Sequence, residues 1–123
     1  MLNRKTSKKN NKNFKTAVLA TPDIAGCWRP GLQALLGEHR QKIDLSDHTL
    51  CEGSVDIDKS TADQGLYLRE NRWDYVLGYE KQAYFVEVHS ANTGEVSTVL
   101  KKLQWLKDWL LEHALEINKI KAS

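Results

Sequence analysis

The chain has 123 residues, of which 41% are hydrophobic, and its 18 basic and 16 acidic residues give a formal net charge of +2. This length fits one compact domain with at most a tail, and the balanced composition excludes collagen-like, low-complexity and wholly disordered proteins. No apolar run approaches the roughly 20 residues that a membrane-spanning helix needs. The sequence therefore predicts a cytoplasmic protein that does not associate with membranes.

The two cysteines and four histidines give no sign of a structural metal site. Cys27 and Cys51 are too few for the disulfide framework of a small secreted domain, which predicts free and mostly buried thiols. The cysteines and histidines also lack the CxxC or HxxxH spacing that structural zinc sites use.

The basic residues are concentrated at the N-terminus, where residues 1–15 carry six of them and no acid. Residues 16–123 carry the other 12 basic residues together with all 16 acidic ones. We therefore predict a disordered basic tail over residues 1–15, followed by a single acidic domain over residues 16–123. Such a tail either binds a polyanion through nonspecific phosphate contacts or only keeps the protein soluble.

The first half of the domain contains one helical and one extended pattern. Apolar residues recur at helical spacing from Leu32 to Ile43, directly after Pro30 and Gly31, and predict the first strong helix. The segment from Leu50 to Asp58 ends in alternating apolar and polar residues, which predicts a strand. The polar connection from Lys59 to Asn71 has no pattern that assigns it.

The second half shows a clearer order of elements. Two strands are predicted from Arg72 to Tyr79 and from Ala83 to Ser90, with a short polar turn at Glu80-Lys81. An amphipathic helix should then run from Glu95 to about Glu116, and residues 117–123 are too short and polar for a further strand. The order α-β-β-β-α predicts an α/β (α+β) fold, in which helices flank a small sheet built on a three-strand antiparallel meander.

A two-residue turn at Glu80-Lys81 fixes how the two strands of this hairpin pair. The apolar sets of both strands then share one face, in three opposed pairs: Trp73 with Val88, Tyr75 with Val86, and Leu77 with Tyr84. The opposite face carries two polar pairs: Asp74 with Glu87, and Arg72 with His89. The register therefore predicts two carboxylates directly across from each other.

Asp74 and Glu87 need a neutralising partner, because directly opposed residues of an antiparallel pair hold their Cβ atoms about 4.5–5.5 Å apart. A divalent cation is one solution, since two carboxylates can bind Mg²⁺ and leave its other positions to water or phosphate oxygens. The other solution is a solvated pair balanced by Arg72, in which one carboxyl group has a raised pKa. The spacing alone leaves both open.

The sequence around this pair carries a second signal. Asp74 is followed after twelve residues by Glu87-Val88-His89 at the end of an apolar strand, and an amphipathic helix comes next. This arrangement resembles the PD-(D/E)XK nuclease superfamily, which has the restriction-endonuclease-like fold, and the resemblance covers about residues 32–115. It implies that Asp74 and Glu87 bind Mg²⁺ or Mn²⁺, and that the third motif residue helps water attack a phosphodiester.

The chain departs from the family at that third position, where His89 stands in place of the usual lysine. Histidine can abstract a proton near neutral pH, but its charge there is only fractional. Some family members supply the lysine from the following helix, which makes Lys101 or Lys102 a candidate, and a carboxylate of the first helix sometimes assists, which makes Glu38 another. The candidate catalytic residues are Asp74, Glu87, His89 and Lys102.

Two functions fit this sequence. The first is a metal-dependent nuclease-like protein that hydrolyses DNA or RNA, with the basic tail holding the nucleic-acid backbone. The second is a catalytically inactive binding or assembly module, joined as a homodimer through Trp105 and Trp109. Packing of these tryptophans against the N-terminal segment is the other use open to them. The acidic residues Asp56, Asp58 and Asp63 either extend the metal site or lie solvated at a strand edge and turn.

Overall fold

The computed structural model of the chain describes residues 13–88 and 95–123. Predictions that fall on residues 1–12 or 89–94, including most of the basic tail and His89, lie outside these ranges. The described part is a mixed α+β structure with one three-stranded antiparallel sheet and five α-helices. Among the helices of this part, none is both long enough and apolar enough to span a membrane.

The first helix, α1, spans Phe14–Leu19 and starts with a side-chain cap. The side-chain oxygen of Asn13 accepts the N–H of Thr16 at 2.8 Å, which satisfies one of the free donors at the helix start. Phe14 is fully buried in the core. The folded domain therefore includes Phe14 and Lys15, which the sequence predicts as part of the tail.

Three strands form the sheet in the order β1-β2-β3: β1 spans Cys51–Asp56, β2 spans Tyr75–Tyr79 and β3 spans Gln82–Val86. Both pairs of neighbouring strands are antiparallel, which confirms the predicted meander. Glu80 and Lys81 join β2 to β3 with φ of 50° and 65°. Positive φ at both central residues is what a type I′ hairpin turn requires, so the predicted two-residue turn is confirmed.

The register of the hairpin agrees with the prediction inside the strands. Its pairs include two predicted ones: Tyr75 with Val86, and Leu77 with Tyr84. The pair of Tyr75 and Val86 is the last of the ladder, so Trp73 and Val88 lie beyond the paired strands.

Both faces of the sheet are covered, by two separate apolar clusters. Val76 packs on one face among residues of α1 and the C-terminal helices. Tyr75 packs on the other face against Leu32 and Leu35. Trp73 belongs to the first cluster, so the prediction that it shares a face with Tyr75 is wrong. The alternation does not extend to Trp73 because β2 begins only at Tyr75.

The predicted helix from Leu32 to Ile43 is wrong in extent. Only Gly37–Arg40 is helical, as the short helix α2, and turns lie on either side of it. Leu36, directly before α2, has a ψ of 148°, an extended conformation that no continuous helix accommodates. Leu35 is buried as the apolar stripe predicts, whereas Leu36 is 55% exposed.

Strand β1 ends at Asp56 because the chain there enters a helix, α3, which spans Ile57–Asp63. The Asp56 carboxylate caps this helix by accepting the N–H of Lys59 at 2.8 Å. The backbone oxygen of Asp74 accepts the N–H of Ile57 at 2.8 Å. The unassigned polar connection therefore begins as a helix whose start is attached to the residue before β2.

The long C-terminal helix is confirmed, but it ends earlier than the sequence predicts. Helix α4 spans Glu95–His113, Ala114 leaves helical geometry with φ −140° and ψ 47°, and α5 spans Leu115–Lys119. The buried residues of α4 lie in its C-terminal half: Leu106, Trp109 and Leu110. Val96, placed on the buried stripe by its spacing, is 58% exposed.

The structure buries Trp109, whereas Trp105 is only half-buried. Their rings stack with centroids 5.6 Å apart, and Trp109 is only 2% exposed. The Trp109 ring N–H donates to Asp23 Oδ2 at 3.0 Å, and that of Trp105 donates to Glu70 at 2.8 Å. Trp109 thus packs against the N-terminal segment, which is one of the two uses that the sequence leaves open for it.

Short segments cover both outer strands of the sheet. Arg29 exchanges two backbone hydrogen bonds with Ser54 of β1, at 3.0 and 2.9 Å. At the other edge, Ala83 of β3 donates its N–H to Ile120 at 2.8 Å and accepts the N–H of Ala122 at 2.9 Å. The residues after α5 therefore add one parallel bridge to the sheet and not a further strand.

Candidate active site

Asp74 and Glu87 flank the open end of the β2–β3 hairpin, where Asp74 directly precedes β2 and Glu87 directly follows β3. The N–H of Asp74 donates to Glu87 Oε1 at 3.2 Å. The N–H of Val88 donates to Asp74 Oδ2 at 3.0 Å. The structure therefore brings the two carboxylates together where the register predicts them, and backbone of the opposite arm of the hairpin holds one oxygen of each.

Lys102 reaches both carboxylates from α4. Its ammonium group donates to Asp74 Oδ1 at 2.9 Å and also donates to Glu87 Oε2. The side chains are mostly buried, with 17% of Lys102, 17% of Asp74 and 7% of Glu87 exposed. The ammonium nitrogen therefore lies between the two carboxylate oxygens that the backbone does not hold. We call these three residues the Asp74–Glu87–Lys102 cluster.

The position of Lys102 on α4 explains how it reaches the sheet. It lies four residues before the buried Leu106, and side chains at this spacing share one face of a helix. A lysine at the border of an apolar face can bury its aliphatic stem and extend its ammonium group to a polar site. Lys101, the other lysine that the sequence offers, is exposed.

Burial and neighbouring charges act on the pKa values of the cluster. The pKa of Glu87 is raised, mainly because burial penalises its charged form, and the Asp74 charge adds to this effect. Burial alone would lower the pKa of Lys102, but its hydrogen bonds to Glu87 and Asp74 and their charges together raise it. Lys102 is therefore a permanent cation at neutral pH.

The structure excludes Arg72 as the partner that balances the carboxylate pair. The Arg72 side chain donates to Asp58 Oδ1 at 2.7 Å and to the Tyr67 backbone oxygen at 2.7 Å. Lys102 takes the neutralising role that the sequence analysis offers to Arg72 or to a metal ion. Glu38 is exposed on α2, and no contact between it and the cluster is present in the described ranges.

The acidic residues Asp56, Asp58 and Asp63 do not converge on the cluster. Asp56 caps α3, Asp58 pairs with an arginine, and Asp63 pairs with Lys59 at 3.0 Å on the exposed side of α3. The pKa of Asp56 is nevertheless raised, first by burial and then by the charges of Asp58 and Asp74. Asp56 is thus electrostatically linked to the cluster without being part of it.

A pocket of about 390 Å³ with mixed polar and apolar walls includes Asp56, at the end of β1, in its lining. Two cationic side chains, Arg29 and Lys59, and two acidic ones, Asp56 and Asp63, line it, and Lys59 pairs with Asp63. The sequence patterns did not single out this pocket, because its walls come from turns and from a helix start that have no periodic signature.

The two carboxylates of the cluster supply oxygen ligands of the kind that bind a divalent cation, provided that the ion needs few ligands from the protein. In the part of the chain that the structure describes, no group of three or more His, Cys, Asp or Glu side chains converges as a metal site. Two carboxylates, however, direct one oxygen each at a single cation position, which the ammonium of Lys102 marks. Mg²⁺ commonly binds through one or two carboxylates and completes its shell with water and phosphate oxygens. Asp74 and Glu87 therefore fit Mg²⁺ or Mn²⁺.

The chain matches no family model, no curated protein and no solved structure.

Proposed function

We propose that this protein is a metal-dependent phosphodiesterase with a restriction-endonuclease-like fold that hydrolyses DNA or RNA. The convergence of Asp74, Glu87 and Lys102 at one end of the sheet carries this proposal. The order of elements supports it, because a three-strand antiparallel meander precedes the helix that supplies the lysine. The lysine then comes from α4 and replaces the one that the third motif position lacks.

Asp74 and Glu87 have the role of metal ligands in this proposal. Backbone N–H groups fix one oxygen of each carboxylate, so the remaining oxygens, Asp74 Oδ1 and Glu87 Oε2, are oriented before a ligand arrives. A bound Mg²⁺ or Mn²⁺ would act as a Lewis acid on the phosphate and would lower the pKa of a water molecule bound to it. Because the protein holds these oxygens in place beforehand, the site needs little reorganisation during the reaction.

Lys102 has the role of the cationic group that orients water and offsets charge. In hydrolysis the water oxygen forms a bond to phosphorus while the bond from phosphorus to the leaving oxygen breaks, and negative charge grows on the phosphoryl oxygens. A permanent ammonium within reach of these oxygens stabilises that charge. A lysine ammonium is protonated at neutral pH, because the ordinary pKa of this side chain is 10.5. His89 remains a candidate water-orienting base that lies outside the described residues.

The pocket lined by Asp56 offers a place for the nucleic acid, and Asp56 is near enough to the cluster for the Asp74 charge to raise its pKa. Arg29 in this pocket can pair with a phosphate group, whereas Lys59 already pairs with Asp63. The basic residues of the N-terminal tail can add sequence-independent phosphate contacts. These cations compensate for the acidic charge of the domain.

The proposal is tested by incubating the full chain with labelled single-stranded DNA, double-stranded DNA and RNA in Mg²⁺ or Mn²⁺. We expect cleavage that falls by about a hundredfold or more in Asp74→Asn and in Glu87→Gln. Asp108→Asn is the matched control, because this acid is exposed on α4 and its side chain contacts Gln104 and not the cluster. Wild-type protein that cuts none of the substrates with either metal would contradict the proposal.

A catalytically inactive binding module is the second candidate. It is favoured by the ammonium of Lys102, which already neutralises part of the carboxylate charge without any metal. In this case the cluster only attaches α4 to the hairpin. The protein would then bind nucleic acid without cutting it, and Asp74→Asn would change folding stability but not nucleic-acid affinity.

A further inference from the structure

We propose that Lys102 is a built-in competitor for the divalent cation. In the metal-free protein its ammonium group occupies the position between Asp74 and Glu87, and the metal binds only when this group withdraws. The inference rests on the proposed function for the identity of the competing cation, Mg²⁺ or Mn²⁺.

The geometry of the cluster directs both cations to the same atoms. Backbone N–H groups at 3.2 and 3.0 Å hold Glu87 Oε1 and Asp74 Oδ2. The ammonium of Lys102 takes the other oxygen of each carboxylate. A metal ion that binds both carboxylates through their remaining oxygens therefore needs the two atoms that Lys102 already occupies.

Charge and burial make simultaneous occupation unfavourable. A divalent ion placed between the carboxylates would lie within a few ångströms of a monovalent ammonium. The three side chains are only 7–17% exposed, so water screens this repulsion weakly. Lysine has a flexible four-carbon stem, and the ammonium group can move away while α4 stays in place.

The withdrawn ammonium would remain tethered beside the metal. There it can contact phosphate oxygens. Lys102 therefore neutralises the carboxylates before the metal binds, and it neutralises the substrate phosphate after the metal has bound. The competition also lowers the affinity of the wild-type site for free metal. Removal of the ammonium leaves two adjacent carboxylates without a partner, and a divalent ion should bind them more tightly.

Calorimetric titration with MnCl₂ tests this competition on the full chain. Lys102→Met removes the charge and keeps an unbranched apolar stem, and Lys101→Met is the matched control one residue away on the same helix. We expect Lys102→Met to bind Mn²⁺ about tenfold or more tightly than the wild type, and Lys101→Met to bind like the wild type. Equal or weaker binding by Lys102→Met overturns the proposal, as does the absence of binding in both proteins.

A second measurement on the wild type does not depend on how well the methionine variant folds. In protein labelled with ¹⁵N-lysine, the ammonium signal of Lys102 is identified by its absence from the spectrum of Lys102→Gln. We expect this signal to be protected from exchange in metal-free protein and to lose that protection as MgCl₂ saturates the site. A signal that stays unchanged at saturation shows that the metal does not displace Lys102 and overturns the proposal.

The outcomes separate this inference from the proposed function. Tighter Mn²⁺ binding by Lys102→Met together with no cleavage of any nucleic acid supports the competition and refutes the nuclease. Metal-dependent cleavage by the wild type together with unchanged Mn²⁺ affinity in Lys102→Met supports the nuclease and refutes the competition.

Discussion

Lys102 Nζ lies 2.9 Å from Asp74 Oδ1, although 28 positions separate the two residues in the chain. This contact attaches the N-terminal half of α4 to the hairpin, in a part of the helix where Val96 and Leu100 are exposed. The apolar core holds α4 mainly through its C-terminal half. The ion pair therefore has a structural task in addition to any chemistry, and both tasks can be measured.

Lys102→Met should lower the free energy of unfolding by about 1.5–3 kcal/mol at neutral pH, the usual size of a hydrogen bond to a charged group. The variant leaves two mostly buried carboxylates without their ammonium partner. Urea denaturation followed by circular dichroism measures the change. Lys101→Met should stay within about 0.5 kcal/mol of the wild type because that lysine is exposed. Equal effects of the two substitutions would show that the cluster does not stabilise the fold.

The stabilisation by Lys102 should also depend on pH in the alkaline range. Burial alone would lower its pKa, but the two carboxylates raise the pKa above the ordinary value of 10.5. A pKa raised in the folded state gives stability that is complete below the unfolded-state pKa and is lost as pH rises through the folded-state value. The difference in unfolding free energy between wild type and Lys102→Met should therefore be constant near neutral pH and shrink above pH 10.5. A difference that grows with alkaline pH would contradict this.

Asp56 should matter to stability through its helix cap and not through its charge. Burial, together with the charges of Asp58 and Asp74, raises the pKa of Asp56, so its charged carboxylate is less favourable in the folded protein than in the unfolded chain. Asp56→Ala removes the acceptor for the Lys59 N–H and should lower the unfolding free energy by about 0.5–2 kcal/mol. Asp56→Asn keeps an acceptor and should be as stable as the wild type or more stable. Thermal unfolding of both variants compares them, and a larger loss in the asparagine variant would refute this account.

Gly78 in the middle of β2 should not tolerate a side chain. A Cβ atom at this position would overlap the ring of Phe14, which is itself fully buried. Gly78→Ala should therefore lower the unfolding free energy by about 1–3 kcal/mol, since overpacking forces neighbours out of place. At Gly26 a Cβ atom meets nothing within 4 Å, so Gly26→Ala is the control and should remain near wild-type stability. Similar unfolding midpoints for both variants would show that α1 does not pack on β2 as described.

The hairpin is the part of the structure that sequence reasoning predicts best. Alternation in both strands and the turn at Glu80-Lys81 require the same register, so the pairing of Tyr75 with Val86 follows from local information. The juxtaposition of Asp74 and Glu87 follows from that register, although both residues lie one position beyond the ladder. Each of these features depends on residues fewer than 20 positions apart.

The features that sequence reasoning misses depend on distant packing or on a single backbone angle. The apolar stripe from Leu32 to Ile43 has helical spacing, but the extended conformation of Leu36 breaks it into turns. Lys102 is among the candidates from the sequence, but its contact with both carboxylates depends on how α4 packs against the hairpin. For Trp109 the sequence leaves two uses open, and the contact with Asp23 of the N-terminal segment follows only from the fold.

The two bridges at the sides of the sheet protect the protein against self-association. Unpaired strand edges recruit strands from other molecules, and natural proteins avoid this by covering them. Here Arg29 occupies positions along β1, and the chain around Ile120 occupies β3. A chain shortened before Ile120 would keep every residue of the Asp74–Glu87–Lys102 cluster and yet expose the edge of β3 to intermolecular β-pairing. The protection of the strand edges and the geometry of the cluster therefore depend on different residues of this chain.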